Sequence, residues 1–165
     1  METEILVIGS GVSGLVYALK CAAFADVTVI TKKEKAESNT NYAQGGIAAV
    51  LSENDSFEAH ISDTLRAGDG LCNKKVAESV IREGPHAIEE LAHLGLAFSR
   101  TTGGGFDLGR EGGHSYRRVA HASDFTGRAV EKTLLERVEN QPRVKILEDH
   151  IAVDLVTTRK LAPDA

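Results

Sequence analysis

The stretch ILVIGSGVSGLVYALKC, residues 5–21, sets the fold. Ile5 to Ile8 form a short, continuous apolar run closed by Gly9, the pattern of a strand buried in a parallel sheet. Val12, Leu15, Val16, Leu19 and Ala23 then recur at helical spacing within residues 12–25. The next six residues, DVTVIT (26–31), are rich in β-branched side chains and read as a second strand. Strand, glycine-rich turn, helix and strand within about 30 residues make a βαβ unit, whose crossover is expected to be right-handed. The fold class expected is α/β, a Rossmann-like parallel sheet with flanking helices.

The turn between the first strand and the helix is G-x-G-x-x-G: Gly9, Ser10, Gly11, Val12, Ser13, Gly14. Gly9 permits the tight turn, Gly11 lets the backbone approach a pyrophosphate, and Gly14 lets helix and strand pack closely. The helix N-terminus adds N–H groups and a partial positive charge that suit phosphates. With a strand before it and a helix after it, the motif reads as a dinucleotide site rather than a plain glycine turn. Which dinucleotide stays open at this point. FAD and NAD(P) use the same device, and the acid that bonds the ribose hydroxyls about 20 residues on is missing. The second strand ends Thr31-Lys32-Lys33-Glu34 instead. Taken alone, these lysines suit the 2′-phosphate of NADP or a solvated surface. Lys32 is nearer the strand end and is the better cofactor candidate.

Composition narrows the class. The chain has 165 residues, 42% hydrophobic and 26% charged, enough for one domain with a real core. A net charge of -5 and the lack of a basic stripe interleaved with aromatics argue against nucleic acid. No segment approaches the ~18–20 apolar residues of a membrane span. The N-terminus, METEILVIG, is acidic with a short apolar run, unlike a signal peptide. Cys21 and Cys72 form no CxxC, and the histidines show no metal-ligand spacing. A reduced, cytoplasmic setting without a metal is expected.

Further along, Asp55 and Glu58 resemble a capping box for a helix carrying Ile61 and Leu65. Asn73 is placed to cap a helix with Val76, Val80 and Ile81 inward. Gly84-Pro85 is expected to divide it from a further helix carrying Ile88, Leu91 and Leu94 as far as Gly95. Residues 103–113 contain six glycines and read as a loop. Asp124 and Thr126 are candidate caps for a helix with Ala129, Val130, Thr133, Leu134 and Val138 on one side. RVKIL (143–147) and AVDLV (152–156) read as strands around a turn near Asp149-His150. His60, His86, His93 and His150 read as surface or boundary residues.

Residues 38–50, SNTNYAQGGIAAV, are too polar for a core strand and too crowded with polar side chains for an ordinary turn. They suit a flat ring with polar edges, whose carbonyls and nitrogens take backbone and amide partners while glycines allow close approach. At this point the residues resemble a known family. GSGVSG, NTNYAQGGIAAV and REGGHSYRRVAHASDFTGRAVEKTL, in that order, resemble the L-aspartate oxidases of the succinate dehydrogenase/fumarate reductase flavoprotein group.

The resemblance implies that Asn39, Thr40, Asn41, Tyr42, Ala43, Gln44, Gly45 and Gly46 lie along the flavin of FAD. Asn39 stands where covalent members of the group carry a flavin-bonding histidine, so the FAD is expected to be non-covalent. Thr31-Lys32 is similar to the Ser/Thr-Lys pattern of aspartate oxidases. The resemblance also implies that Glu111 lies at the substrate's amino group, with Arg110 supporting it. His114, Arg117 and Arg118 come with the same motif, and the residues leave open whether the arginines clamp the glycine loop or bind a ligand. The implied activity is oxidation of L-aspartate to iminoaspartate, with electrons passing to oxygen or fumarate and the product going to quinolinate synthase in de novo NAD synthesis. Residues 1–165 would be the N-terminal part of the FAD-binding domain, without the capping and C-terminal helical domains, and inactive alone. Three alternatives remain: a fumarate reductase or succinate dehydrogenase flavoprotein subunit, an NAD(P)-binding module, and a non-catalytic interaction fragment.

Overall fold

The structure, a computed structural model, describes residues 2–122 and 125–157. In chain order its elements are β1 (Ile5–Ile8), α1 (Val12–Cys21), β2 (Val27–Ile30), α2 (Asn39–Tyr42), β3 (Ile47–Ala48), α3 (Phe57–Ala67), α4 (Lys74–His93), β4 (Leu108–Gly109), β5 (Val119–Ala120), α5 (Thr126–Glu139) and β6 (Val144–Leu147). They divide into two units, one made of residues up to 38 with those from 134 onward, the other of residues 39–133.

The first unit holds the expected βαβ pattern. β1, β2 and β6 form a parallel sheet in the order β1-β2-β6, with Val7 opposite Val29 and Val29 opposite Ile146. Side chains alternate along each strand, so Ile5, Val7, Val27, Val29, Val144 and Ile146 share one face. That face packs against Ala18 and Cys21 of α1. The other face of β1 differs from expectation. Leu6 is 51% exposed and Ile8 66%, because the Ile5/Val7 row of β1 meets α1 while the alternate row points to the opposite face of the sheet, left open at these positions by the described residues. Arg143 secures the start of β6, its Nε donating to the Asp26 carboxylate at 2.9 Å.

The strand expected over 152–156 does not form. Residues 151–157 carry no regular structure, and Val153 and Leu155 are exposed. Asp149 takes a left-handed backbone (φ 57), and the His150 N–H donates to the Thr31 carbonyl at 2.9 Å. The chain thus turns off the end of the sheet, and among the described residues no strand pairs with 152–156.

In the second unit, β3, β5 and β4 form a small antiparallel sheet, with Ala120 opposite both Ile47 and Leu108. The glycine-rich stretch is therefore not wholly loop: it yields β4, and Phe106 bridges to Arg100. α3 is capped by Ser56 rather than Asp55; the Ser56 hydroxyl accepts from the Ala59 N–H at 3.1 Å. Asp55 is one residue too early and is used elsewhere, while Glu58 pairs with Arg82 of α4 at 3.1 Å.

Asn73 caps α4 as expected, accepting from the Val76 N–H at 3.3 Å. The helix then runs unbroken to His93 through Gly84-Pro85. Proline withholds one N–H there, but buried Ile81 and Ile88 hold the helix on either side, and a Cβ on Gly84 would lie 3.4 Å from that of Ala49, so the glycine serves close packing. Val76 and Val80 are exposed, not inward. At about 100° per residue they lie roughly 140° and 100° off the Ile81 direction, outside the Ile81-Ile88-Leu91 stripe. Gly95, with φ 107, follows the end of α4.

Candidate functional site

The glycine turn belongs to the first unit. Gly9 has φ 108, a conformation that L side chains rarely adopt, and its N–H donates to the Ile30 carbonyl at 2.9 Å. The buried Ser10 hydroxyl donates to that of Thr31 at 3.2 Å, tying the turn to the tip of β2. Lys32 follows there, exposed. Gly11 occupies the N-cap of α1 in extended conformation, so no side chain caps the helix, and Val12 and Ser13 open it. A Cβ on Gly14 would collide with the Gly9 carbonyl and lie 3.3 Å from Val7 Cγ1. The turn therefore fits a phosphate cradle: glycine is demanded at Gly9 by conformation and at Gly14 by space, and the helix N-terminus carries no competing side chain.

Asn39 to Gly46 belong to the second unit. Asn39–Tyr42 form the single helical turn α2, an element the sequence did not announce. The segment is pinned on one side. The Gly127 N–H donates to the Ala43 carbonyl at 2.9 Å. The Thr126 hydroxyl donates to the Gly45 carbonyl at 2.9 Å and accepts from the Ala122 N–H at 3.1 Å. Thr126 is thus not a helix cap but a tether, and Asp124, the other candidate cap, lies outside the described residues. A Cβ on Gly127 would collide with the Thr40 and Ala43 carbonyls, and one on Gly46 with the Ala120 carbonyl. Asn39, Tyr42, Ala43, Gln44, Gly45 and Gly46 are exposed, while Thr40 and Asn41 are half-buried. A rigid backing with an exposed, glycine-bearing front fits close approach by a ring.

Glu111 joins this segment. A Cβ on Gly45 would lie 2.6 Å from Glu111 Oε1, so the carboxylate rests against Gly45 where any larger residue would displace it. Two stretches more than sixty positions apart in the chain thus meet. Arg110 goes elsewhere: it lines a cavity of about 320 Å³ with Asn54, Ser115, Tyr116 and Arg117. Among the described residues no ion pair joins Arg110 to Glu111, so the supporting contact expected of Arg110 is not formed. Arg117 is exposed and its Nε donates to the Leu108 carbonyl at 2.9 Å.

Arg118 resolves the choice left open in the sequence. Its side chain is 0% exposed and is held by two carboxylates. Nε and Nη2 donate to Asp55 at 2.8 Å each, and Nη1 donates to Asp63 at 2.9 Å. No capacity for a diffusible anion remains there, and the residue is a clamp. Burial would lower the guanidinium, but Asp55 and Asp63 outweigh it and raise its pKa. Burial likewise pushes the Asp63 carboxyl up, yet the Ser115 N–H and hydroxyl and Arg118 hold it far below the usual carboxylate range.

His60 is buried rather than at the surface. Its pKa is lowered, first by burial and then by the charge of Arg118. It meets His114 edge-on with ring centroids 5.7 Å apart. His86, His93 and His150 are exposed as expected. Asp63 was missed in the sequence. Its one local signal is a position three residues after His60, hence on the same face of α3. Among the described residues no cluster of His, Cys, Asp or Glu could hold a metal ion, and no helix is long and apolar enough to cross a membrane.

These features have counterparts. The chain is 50% identical over 156 residues to L-aspartate oxidase 2-b, chloroplastic, of Nicotiana tabacum, covering 94% of this chain and 24% of that protein. It is 47% identical over 163 residues to L-aspartate oxidase 1 of Ralstonia nicotianae, covering 98% of this chain and 31% of that one. A solved E. coli quinol fumarate reductase superposes with a TM-score of 0.87 at 31% identity, covering 93% of this chain and 27% of that one. The chain thus spans about a quarter to a third of the length of the relatives it matches. Residues 4–162 match the FAD binding domain family. With a glycine-rich turn leading from a parallel strand into a helix and a match over nearly its whole length, the chain belongs to that family, and its cofactor is FAD.

Proposed function

We propose that the full-length protein oxidises L-aspartate to iminoaspartate with non-covalently bound FAD, and that residues 1–165 are the N-terminal part of its FAD-binding domain. The observation that carries this reading is the Glu111 carboxylate resting against Gly45, within the segment that would line the flavin. The residues of the glycine turn, with Lys32, would hold the ADP half of the cofactor, and Asn39 to Gly46 would border its ring. FAD, when bound, supplies the hydride acceptor. The chain's own part is orientation. Glu111 would accept a hydrogen bond from the substrate's ammonium or amine, and so aim Cα at the ring. The glycines at 45 and 46 keep the front of the segment free of side chains, so that substrate and ring can approach. The similarity to L-aspartate oxidases of plants and bacteria supports this substrate over succinate or fumarate alone. Oxygen or fumarate would take the electrons. The imine product would be consumed by a quinolinate-forming synthase on the way to NAD. The isolated cysteines suit a reduced, cytoplasmic setting, whereas the tobacco relative is chloroplastic.

The test is Glu111→Gln in the full-length flavoprotein. A hydrogen bond to a charged group contributes about 1.5–3 kcal/mol, or roughly 10- to 150-fold. The kcat/KM for aspartate is expected to fall by about that factor. Fumarate reduction is expected to change far less, since fumarate offers no amine. Equal losses in both reactions would remove the selectivity role from Glu111.

Cofactor attachment is tested separately. Asparagine at position 39 cannot form the covalent bond that a histidine makes to flavin. Acid precipitation of the full-length protein is expected to release the flavin into the supernatant, and a yellow pellet would refute non-covalent binding.

A further inference from the structure

We propose that Asp63 is a positioning residue for Glu111: it anchors the loop that holds this carboxylate against Gly45, and so sets the preference for an amine-bearing substrate. The inference rests on the reading of Glu111 given above.

Among the described residues the Glu111 side chain makes no hydrogen bond or ion pair. Its place against Gly45 is therefore dictated by the backbone of its own loop. That loop contains Gly112 and Gly113, the latter with φ 85, and glycine pairs are the most expensive residues to hold in one conformation. The loop is fixed at both ends. On the N-terminal side, Gly109 of β4 is paired with Val119, and its carbonyl accepts from the Arg118 N–H at 3.0 Å. On the C-terminal side, Ser115 gives Asp63 two bonds, its N–H to Oδ2 at 2.7 Å and its hydroxyl to Oδ1 at 2.7 Å. Inside the loop the His114 N–H donates back to the Glu111 carbonyl at 3.3 Å. The C-terminal anchor is thus one side chain, displayed by α3.

Asp63 is itself held. Arg118 donates to it from within the core at 2.9 Å, and Arg66 donates at 2.5 Å from the next turn of α3. Asp55 fixes the rest of the Arg118 guanidinium. The chain of contacts runs from Asp55 through Arg118, Asp63 and Ser115 to the glycine loop and Glu111. A buried carboxylate with four donors is a rigid post, and a serine bound through both backbone and side chain cannot rotate away from it.

The experiment is a double-mutant cycle in the full-length flavoprotein, read as kcat/KM for aspartate and for fumarate reduction. Asp63→Ala leaves the buried Arg118 half-paired and endangers folding, so the exposed Ser115→Ala carries the test: it removes one of the two anchoring bonds and leaves the Asp63–Arg118 pair intact. Ser115→Ala is expected to lower kcat/KM for aspartate about 3- to 10-fold, with flavin content unchanged and a smaller effect on fumarate. In a Glu111→Gln background the same change is expected to cost less than about 2-fold, because the group it positions is already disabled. Ser115→Thr, which keeps the hydroxyl, is expected to restore most of the loss. Equal factors in both backgrounds would overturn the inference and leave the Glu111 reading standing. No effect from Glu111→Gln itself would overturn that reading and the inference with it.

Discussion

In the full-length flavoprotein, Gly11→Val is expected to abolish FAD retention with the fold kept, whereas Gly14→Val is expected to abolish retention and lower the thermal midpoint together. The difference follows from where each glycine looks. Gly11 sits at the N-cap of α1 with φ −69, a value open to any residue, so valine is tolerated by the backbone. Its two methyl groups would occupy the space into which a pyrophosphate comes close. Gly14 looks inward. Any side chain there meets the Gly9 carbonyl and Val7, which are parts of the β1–α1 packing itself. Overpacking a closed contact costs about 1–3 kcal/mol, and a carbonyl in the way cannot rotate aside as a side chain can. The upper end, about 3 kcal/mol, corresponds to roughly 150-fold in FAD affinity if the strain falls on the turn. Flavin content per polypeptide and a melting curve separate the two variants. Normal retention in Gly11→Val would mean that the turn is not the pyrophosphate site. An unchanged midpoint in Gly14→Val would mean that helix and strand can part at little cost.

Gly127→Val is expected to have a comparable effect from a position outside both the glycine turn and residues 39–46. The added Cβ would strike the Thr40 and Ala43 carbonyls and the Ala43 side chain at once, while the Gly127 N–H must stay close to give Ala43 its hydrogen bond. Nothing flexible is available to yield, so residues 40–45 are pushed outward, and the Thr126–Gly45 bond at 2.9 Å is pulled with them. A cost at the upper end of the overpacking range, about 3 kcal/mol, would fall on the segment's placement. Flavin content is expected to drop steeply with circular dichroism little changed. Gly103→Ala is the control, since a Cβ there finds its nearest atom, Thr101 Oγ1, at 3.9 Å. Full flavin content in Gly127→Val would show that the floor beneath Ala43 is not needed to hold the ring.

What was legible in the sequence was what neighbouring residues settle among themselves. The apolar run closed by Gly9, the helical spacing from Val12 and the β-branched run to Thr31 each lie within about ten residues. Each appears as β1, α1 and β2 with ends shifted by a few residues at most. Asn73 as a cap and Gly95 after the end of α4 are of the same kind, since a cap bonds an N–H three residues away. The polar segment around Gly45-Gly46 stands apart from core and turn by composition, and most of its residues are exposed. The tertiary structure decided whatever depends on a distant partner. Asp55 and Glu58 match a capping box locally, but Asp55 is drawn instead to Arg118, 63 positions on, where a buried guanidinium must find carboxylates or not be buried at all. Gly84-Pro85 reads as a break, yet α4 continues because Ile81 and Ile88 are both buried along it. AVDLV has the alternation of a strand, but a strand also needs a neighbour for its N–H and C=O groups, and 152–156 have none among the described residues. The same reason hid Asp63: a carboxylate on a helix face looks like surface charge until the fold brings Ser115 and Arg118 to it.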